Sequence, residues 1–225
     1  MWSTARGFTG KLVLKNDRLF VFGWIPTKAG HRDSGNIDWA GNLVAHELIA
    51  DDQGQLNSIL PQELQKVISE NPGPVTTLTS TKTLKTATSF GPLQSALYPA
   101  LPERGELSAT IDVPSAGMVM SFGLTDDRVS DAMLNVVFNK SKGKVYFFNA
   151  PLASIHQANA ESWVDVPIGE KIELRVLIQN SIAVFYINNK AAFSTRMYSM
   201  QEKPWSISLP QNDHFHATLK IKEMI

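Results

Sequence analysis

Residues 171–196 read KIELRVLIQNSIAVFYINNKAAFSTR, and this stretch decides the fold class. Polar and apolar side chains alternate through 171–179, which is the pattern of a strand with one buried face. Two further apolar runs follow over 181–188 and 190–196, with asparagine-containing turns between them. Strands joined by such short turns predict antiparallel pairing in an all-β fold.

The same alternation extends to both sides of this stretch. The threonine-rich segment 76–89 is interpreted as the first strand of this unit, because Thr favours strands. Short strands at regular spacing, without alternating helices, predict a two-layer antiparallel β-sandwich, jelly-roll or concanavalin-like, over residues 71–225. The other predicted strands are 106–113, 118–124, 132–139, 144–149, 206–209 and 216–223.

The N-terminal part predicts a separate antiparallel sheet. Asn16 and Asp17 lie between two apolar strands and predict a tight hairpin turn. The segment 61–68, PQELQKVI, predicts one short helix that bridges the sheet and the sandwich, since Pro suits a first helical turn. Leu64, Val67 and Ile68 share one face of that helix. The predicted strands of this sheet are 11–15, 18–25, 39–50 and 55–60.

Composition excludes several classes of function. The 225 residues include 21 basic and 21 acidic side chains, so we expect neither a nucleic-acid partner nor a membrane partner, which need clustered positive charge. The absence of cysteine excludes disulfides, thiolate catalysis and thiolate metal sites. No signal peptide is seen at the N-terminus, so a cytoplasmic protein is expected.

His46 and Glu47 match half of the zinc-protease HExxH pattern. The second histidine would fall at position 50, which is Ala50, and the segment is predicted to be a strand rather than a helix. Because nothing else in the chain supplies three metal ligands, we expect no metal site and no cofactor.

The loop 30–39, GHRDSGNIDW, is the densest polar cluster of the sequence. Trp24 ends the strand before it, and Trp39 begins the strand after it. Aromatic rings can stack on sugar rings while carboxylates and guanidinium groups bind hydroxyls. The cluster is therefore interpreted as a sugar-contacting loop, with the alternative of a plain surface loop that has a buried Trp at each end.

Two motifs resemble glycoside hydrolase family 32, the invertases, levanases, inulinases and sucrose-6-phosphate hydrolases. Residues 18–24 read RLFVFGW and residues 38–48 read DWAGNLVAHEL, with His46 where many members carry Arg. The runs 174–178 and 193–198 are similar to the C-terminal sandwich of that family. The resemblance implies that 1–70 is the last-blade remnant of a five-bladed β-propeller, and that 71–225 is its C-terminal β-sandwich domain.

The resemblance also implies a retaining, β-fructofuranosidase-like glycosidase in the complete proteins. Their carboxylates lie in Asn-Asp-Pro, Arg-Asp-Pro and Glu-Cys motifs, none of which occurs here; Arg32-Asp33 is followed by Ser34. We therefore assign no catalytic residue and expect a catalytically incomplete chain. By the same resemblance, Trp24, His31, Arg32 and Asp33 would make weak contacts with a fructoside substrate.

Three functions are left open by the sequence. The first is the C-terminal fragment of a family 32 hydrolase of carbohydrate metabolism, and the second is a carbohydrate-binding β-sandwich module. The third is a small hydrolase that uses Asp33, Asp38 or Glu47. A blade without neighbours exposes apolar side chains, so self-association is expected. Six residues would contribute to it: Leu12, Leu14, Phe20, Phe22, Leu43 and Ile49.

Overall fold

A computed structural model describes residues 10–88, 91–157, 162–165, 171–211, 213 and 216–225. Within these ranges the chain forms antiparallel strands and one α-helix, together with short 3₁₀ turns. The predicted all-β fold class is confirmed, and so is the arrangement of one small sheet followed by a two-layer sandwich.

The first sheet is a four-stranded meander with the strand order β1-β2-β3-β4. Asn16 and Asp17 both have positive φ, 51° and 58°, which is the geometry of the predicted tight hairpin. The second strand runs three residues beyond its predicted end and passes an irregularity between Pro26 and Lys28, where the proline cannot donate to the ladder. The strands are β1 Lys11–Lys15, β2 Arg18–Lys28, β3 Ile37–Ala50 and β4 Leu56–Ile59.

Helix α1, Gln62–Glu70, begins directly after Pro61 and connects the first sheet to the sandwich. Of its three predicted face residues only Ile68 is buried, whereas Leu64 and Val67 are exposed. Lys222 Nζ donates to the carbonyl oxygen of Ile68 at 2.6 Å, so a cation from the sandwich satisfies the C-terminal end of the helix.

The sandwich consists of two antiparallel sheets. The seven-stranded sheet has the order β12-β11-β10-β9-β16-β7-β6, and the six-stranded sheet has the order β15-β14-β13-β8-β17-β5. The strands are β5 Val75–Thr77, β6 Lys82–Thr88, β7 Gly91–Tyr98, β8 Arg104–Asp112, β9 Met118–Phe122, β10 Leu134–Asn139, β11 Lys144–Phe148, β12 Ser162–Asp165, β13 Lys171–Gln179, β14 Ile182–Ile187, β15 Ala191–Arg196, β16 Trp205–Pro210 and β17 Ala217–Glu223.

The prediction of a single strand over 76–89 was wrong, although residue 89 itself lies outside the described residues. The segment holds two strands, β5 and β6, which belong to different sheets. Strand β7 was not predicted at all, because its Gly-Pro start is typical of a turn. It nevertheless pairs antiparallel with β16 over the whole length of that strand, from Trp205 to Pro210.

The core lies between the two sheets and is rich in stacked aromatic rings. Trp205 stacks on Tyr98 at 4.5 Å between centroids, and Phe147 stacks on Phe193 at 3.8 Å. Phe185 meets Phe147 edge to face at 6.0 Å. These rings come from both sheets, so the largest buried side chains join the two layers.

Candidate functional site

The first sheet packs one face on the outer side of the six-stranded sheet. We call this the inner face; it carries Leu19, Val21, Ile25, Val44, His46 and Leu48 by strand register. Val44 packs against a buried cluster that includes Leu60, Ile68 and Tyr186. This junction holds the first sheet against the sandwich.

Arg196 of β15 is the main polar tie across the junction. Its Nη2 donates to the carbonyl oxygen of Ile25 at 3.1 Å and to Oδ1 of Asn42 at 2.6 Å. Its Nε donates to the carbonyl oxygen of Pro26 at 3.2 Å, and its Nη1 donates to Oγ of Ser181 at 2.9 Å. Burial lowers the pKa of this guanidinium. Sequence reasoning placed Arg196 in a resemblance motif but did not predict this role.

Gly41 explains why the two strands can approach each other at this point. A Cβ at Gly41 would lie 2.0 Å from the carbonyl oxygen of Ile25, which is one of the acceptors of Arg196. Any larger residue would push β2 and β3 apart. The glycine of the second resemblance motif therefore preserves the geometry that Arg196 needs.

Asp33 is a buried structural anchor in this structure. Its Oδ1 accepts a hydrogen bond from the backbone N of Tyr198 at 2.7 Å. Its Oδ2 accepts from the backbone N and Oγ of Ser199, both at 2.8 Å, and from the backbone N of Met200 at 2.9 Å. Lys28 Nζ donates to the carbonyl oxygen of Asp33 at 3.0 Å. With four protein donors on its carboxylate, Asp33 is engaged away from solvent.

The other three predicted sugar contacts are not brought together. The ring of His31 stacks on Tyr198 at 5.6 Å between centroids, on the sandwich side of the sheet. Arg32 is exposed, and it forms no ion pair with any described residue. Trp24 lies on the opposite face of the sheet from Ile25 and is 53% exposed. Sugar binding by these residues stays a prediction.

The surface-loop alternative placed a buried Trp at each end of the loop, and for Trp39 this was wrong. Its side chain is 91% exposed, and only its backbone is engaged, with the carbonyl oxygen accepting from Thr27 Oγ1 at 2.6 Å. Nothing in the described chain covers the start of β3, so the indole has no surface to pack against.

Arg18 joins the two resemblance motifs of the first sheet. Its Nε and Nη2 donate to the carboxylate of Glu47 at 2.7 Å and 2.6 Å, and it also binds Glu63 of α1. The hydrogen bonds from Arg18 are the main cause that lowers the pKa of Glu47 and of Glu63. Both carboxylates are therefore held ionised, which is the reverse of what a glycosidase acid requires.

His46 is buried in the junction. Its Nδ1 lies 3.0 Å from the hydroxyl of Tyr186, and desolvation lowers the pKa of His46 to about 4. Burial also raises the pKa of Tyr186, so that the pair is neutral around pH 7. Within the described ranges no three His, Asp or Glu residues are grouped so that they could hold a metal ion.

We expect acid to weaken the junction through His46. Its folded-state pKa of about 4 lies below the ordinary value of about 6.5, so the unfolded chain takes up the proton first as the pH falls. The stabilisation of the folded state by neutral His46 is complete above about pH 6.5 and decreases as the pH falls towards 4. Relative to His46→Gln, the free energy of unfolding should drop by about 2 kcal/mol between about pH 8 and pH 5.

Urea unfolding at several pH values, followed by tryptophan fluorescence, measures this difference. His31→Gln is the matched control, because it makes the same substitution at an exposed histidine outside the buried junction. If the difference in the free energy of unfolding between wild type and His46→Gln stays constant over this pH range, the assignment of His46 as a buried neutral histidine is contradicted.

The outer face of the first sheet, opposite the junction, combines an apolar patch with Lys11, Lys15 and the Arg18–Glu47 ion pair. By register it carries Val13, Phe20, Phe22, Trp24, Leu43, Ala45 and Ile49. Trp24 and Leu43 are cross-strand partners and are 53% and 57% exposed. Leu12 and Leu14 are also exposed, but they are paired with Val21 and Leu19 on the side of the inner face. The six predicted association residues are thus divided between two faces.

Comparison with known proteins identifies the family. A family model described as "GH32, BT1760-like, C-terminal domain" matches residues 61–215. The chain belongs to this glycoside hydrolase family 32 group. No curated protein sequence matches it. The matched segment begins at helix α1 and covers nearly all of the sandwich, and the identification confirms the resemblance seen in the sequence.

Solved structures of the family share the fold of this GH32 chain. The sucrose-6-phosphate hydrolase from Lactobacillus gasseri superposes with a TM-score of 0.62 at 15% identity, over 97% of this chain and 41% of that one. The exo-inulinase from Aspergillus awamori gives 0.61 at 10% identity, over 97% and 42%. Fructan 1-exohydrolase IIa from Cichorium intybus gives 0.58 at 16%, over 96% and 48%. The chain spans less than half the length of these proteins.

No described helix is long and apolar enough to cross a membrane.

Proposed function

We propose that this GH32 chain supplies the last propeller blade and the C-terminal sandwich of a fructoside-cleaving hydrolase. In this proposal residues 1–70 correspond to the blade with its bridging helix, and residues 71–225 correspond to the sandwich. The observation that carries the proposal is the apolar outer face of the first sheet, where Trp24 and Leu43 are exposed side by side. A propeller blade buries such a face against the next blade.

The catalytic carboxylates are proposed to come from other blades. A retaining glycosidase needs two carboxyl groups about 5–5.5 Å apart, one of them with a raised pKa. The carboxylates that lie close together here, Glu47 and Glu63, share Arg18 and have lowered pKa values. Asp33 is occupied by four donors, and Asp38 accepts from the backbone of Trp39. None of these groups fits the role of the acid.

The contacts of this chain with the substrate are proposed to be peripheral and weak. Arg32 and Trp24 have exposed side chains that can reach a ligand, and His31 is exposed above the ring of Tyr198. Asp33 acts instead through the loop, because its carboxylate fixes the backbone of residues 198–200. With few contacts open to water, millimolar affinity for a fructoside is expected, worth about 4 kcal/mol.

The isolated chain should self-associate through the outer face. Sedimentation velocity should show oligomers that Leu43→Ser and Trp24→Ser shift toward monomer, since each variant removes exposed apolar surface. Val75→Ser is the matched control, because Val75 is 61% exposed but belongs to the sandwich. A monodisperse monomer, or an association that responds equally to all three variants, would contradict the uncovered blade face.

The coding sequence upstream of Met1 gives an independent test of the same proposal. We expect it to encode the Asn-Asp-Pro and Arg-Asp-Pro motifs that this chain lacks. If the upstream region lacks these motifs and the outer face does not mediate self-association, a carbohydrate-binding module is the better proposal.

A further inference from the structure

A groove of about 260 Å³ lies on the outward side of the six-stranded sheet. Side chains of β8, β13 and β17 form its floor and walls, and Asn189 and Tyr186 line it as well. Because the Tyr186 hydroxyl lies 3.0 Å from His46 of β3, this end of the groove adjoins the first sheet. The remainder of the groove is open to solvent.

The lengths of the side chains explain why the sheet is concave here. The central strand β8 presents the short residues Ser108 and Thr110, while Glu173, Arg175 and Lys220 on its neighbours are longer. Since adjacent strands lie about 4.8 Å apart, the two walls are about 10 Å apart, which is wide enough for a sugar ring. The register sets two rows across the groove, Thr218–Thr110–Glu173 and Lys220–Ser108–Arg175.

The charges in and directly beside the groove cancel, because Glu106 next to it pairs with Arg175. Arg175 is paired with Glu106 through its Nε, and the carboxylate of Glu173 balances the ammonium group of Lys220. A site for a phosphate or a nucleic acid needs an excess of positive charge. The balance here favours a ligand that is polar but uncharged.

The groove also holds hydrogen-bonding groups that the fold does not use. The hydroxyls of Thr110 and Thr218, the carboxylate of Glu173 and the ammonium of Lys220 make no hydrogen bond or ion pair within the part of the chain that the structure describes. Ser108 Oγ reaches only the carbonyl oxygen of Lys220, at 3.5 Å. Hydroxyls that donate and accept, beside one acceptor and one donor, match the hydroxyls of a saccharide.

We propose that this groove binds a neutral oligosaccharide, with one sugar ring seated over Ser108 and Thr110. Glu173 accepts hydrogen bonds from the sugar hydroxyls on one wall, and Lys220 donates to them on the other wall. Since Tyr186 is buried, no exposed aromatic ring of the groove stacks on the sugar, and hydrogen bonds carry the recognition. The site does not depend on the blade having partner blades, so it stands apart from the proposed function.

An NMR titration of the full chain tests the groove. The probe is 1-kestose, the sugar bound in one fructan 1-exohydrolase structure of this fold, with maltotriose and inorganic phosphate in parallel. We expect saturable shifts of the amides in β8, β13 and β17 with a millimolar dissociation constant for at least one saccharide. Phosphate should shift none of them.

Two isosteric variants identify the contacts. Thr110→Val and Thr218→Val remove a hydroxyl without changing side-chain shape, and each should weaken binding about fivefold, the loss of one hydrogen bond. Thr86→Val on the opposite sheet is the control and should bind like wild type. Unperturbed spectra of the free variants show that the fold is retained.

The proposal that the groove binds a saccharide is refuted if neither saccharide gives saturable shifts. It is equally contradicted by shifts confined to the loop 29–38, by variants that bind like wild type, or by phosphate that binds more tightly than the saccharides. None of these results bears on self-association through Trp24 and Leu43, so the two proposals fail separately.

Discussion

Replacing Arg196 by alanine should lower the free energy of unfolding by about 4 kcal/mol, because several acceptors at the junction, among them the buried carbonyl oxygen of Ile25, lose a charged donor. The carbonyl oxygens of Ile25 and Pro26 and the side-chain oxygen of Asn42 all depend on this guanidinium. Arg196→Lys should recover only part of the lost stability. A guanidinium donates from three nitrogens in different directions, whereas a single ammonium group cannot reach all of the same acceptors. Guanidinium chloride unfolding, followed by circular dichroism, measures both variants.

Arg128→Ala is the control for that experiment. Arg128 is exposed and pairs with Asp126 and Asp131 on the surface, so its loss should cost less than about 1 kcal/mol. Similar values for Arg196→Ala and Arg128→Ala would show that the junction does not depend on the buried arginine.

Replacing Asp33 by alanine should lower the free energy of unfolding by about 3 kcal/mol, because three backbone N–H groups and one hydroxyl lose their acceptor. Amide hydrogen exchange near Asp33 tests this role more specifically than the free energy of unfolding does. The amides of Tyr198, Ser199 and Met200 should exchange with deuterium faster in the variant, while the amides of β13 keep their protection.

Asp38→Ala provides the comparison in the same loop. Asp38 is exposed and accepts only from the backbone of Trp39, so this variant should be nearly neutral and should leave exchange at 198–200 unchanged. Unaltered exchange in Asp33→Ala would mean that the carboxylate is free to bind a sugar, as the sequence first indicated.

The strands were predictable wherever alternation was regular. Strand β13 has the bounds that the pattern predicted, and β1 likewise, because one face of each strand is consistently more apolar than the other. Strand β7 escaped because Gly91 and Pro92 are typical of a turn, although it pairs both with the adjacent β6 and with β16, which is distant in sequence.

The role of Asp33 could not be predicted from local sequence. A carboxylate in a polar loop indicates exposure, but its donors lie 165 to 167 residues further along the chain. The pairing of Arg18 with Glu47 was implicit in the two motifs, and only the register of β2 and β3 shows that they meet. The apolar outer face was predictable from the blade resemblance. That Leu12 and Leu14 lie on the other face of the sheet became clear only from the pairing of β1 with β2.

We propose that the described residues of this chain do not form a complete glycosidase centre. The most direct test is release of fructose from sucrose, inulin and levan by the purified chain. We expect none above a blank without protein, because Glu47 and Glu63 are held ionised by Arg18 and Asp33 is occupied within the fold. Fructose release that is abolished by Asp38→Asn or Glu47→Gln would contradict the account and establish a small hydrolase.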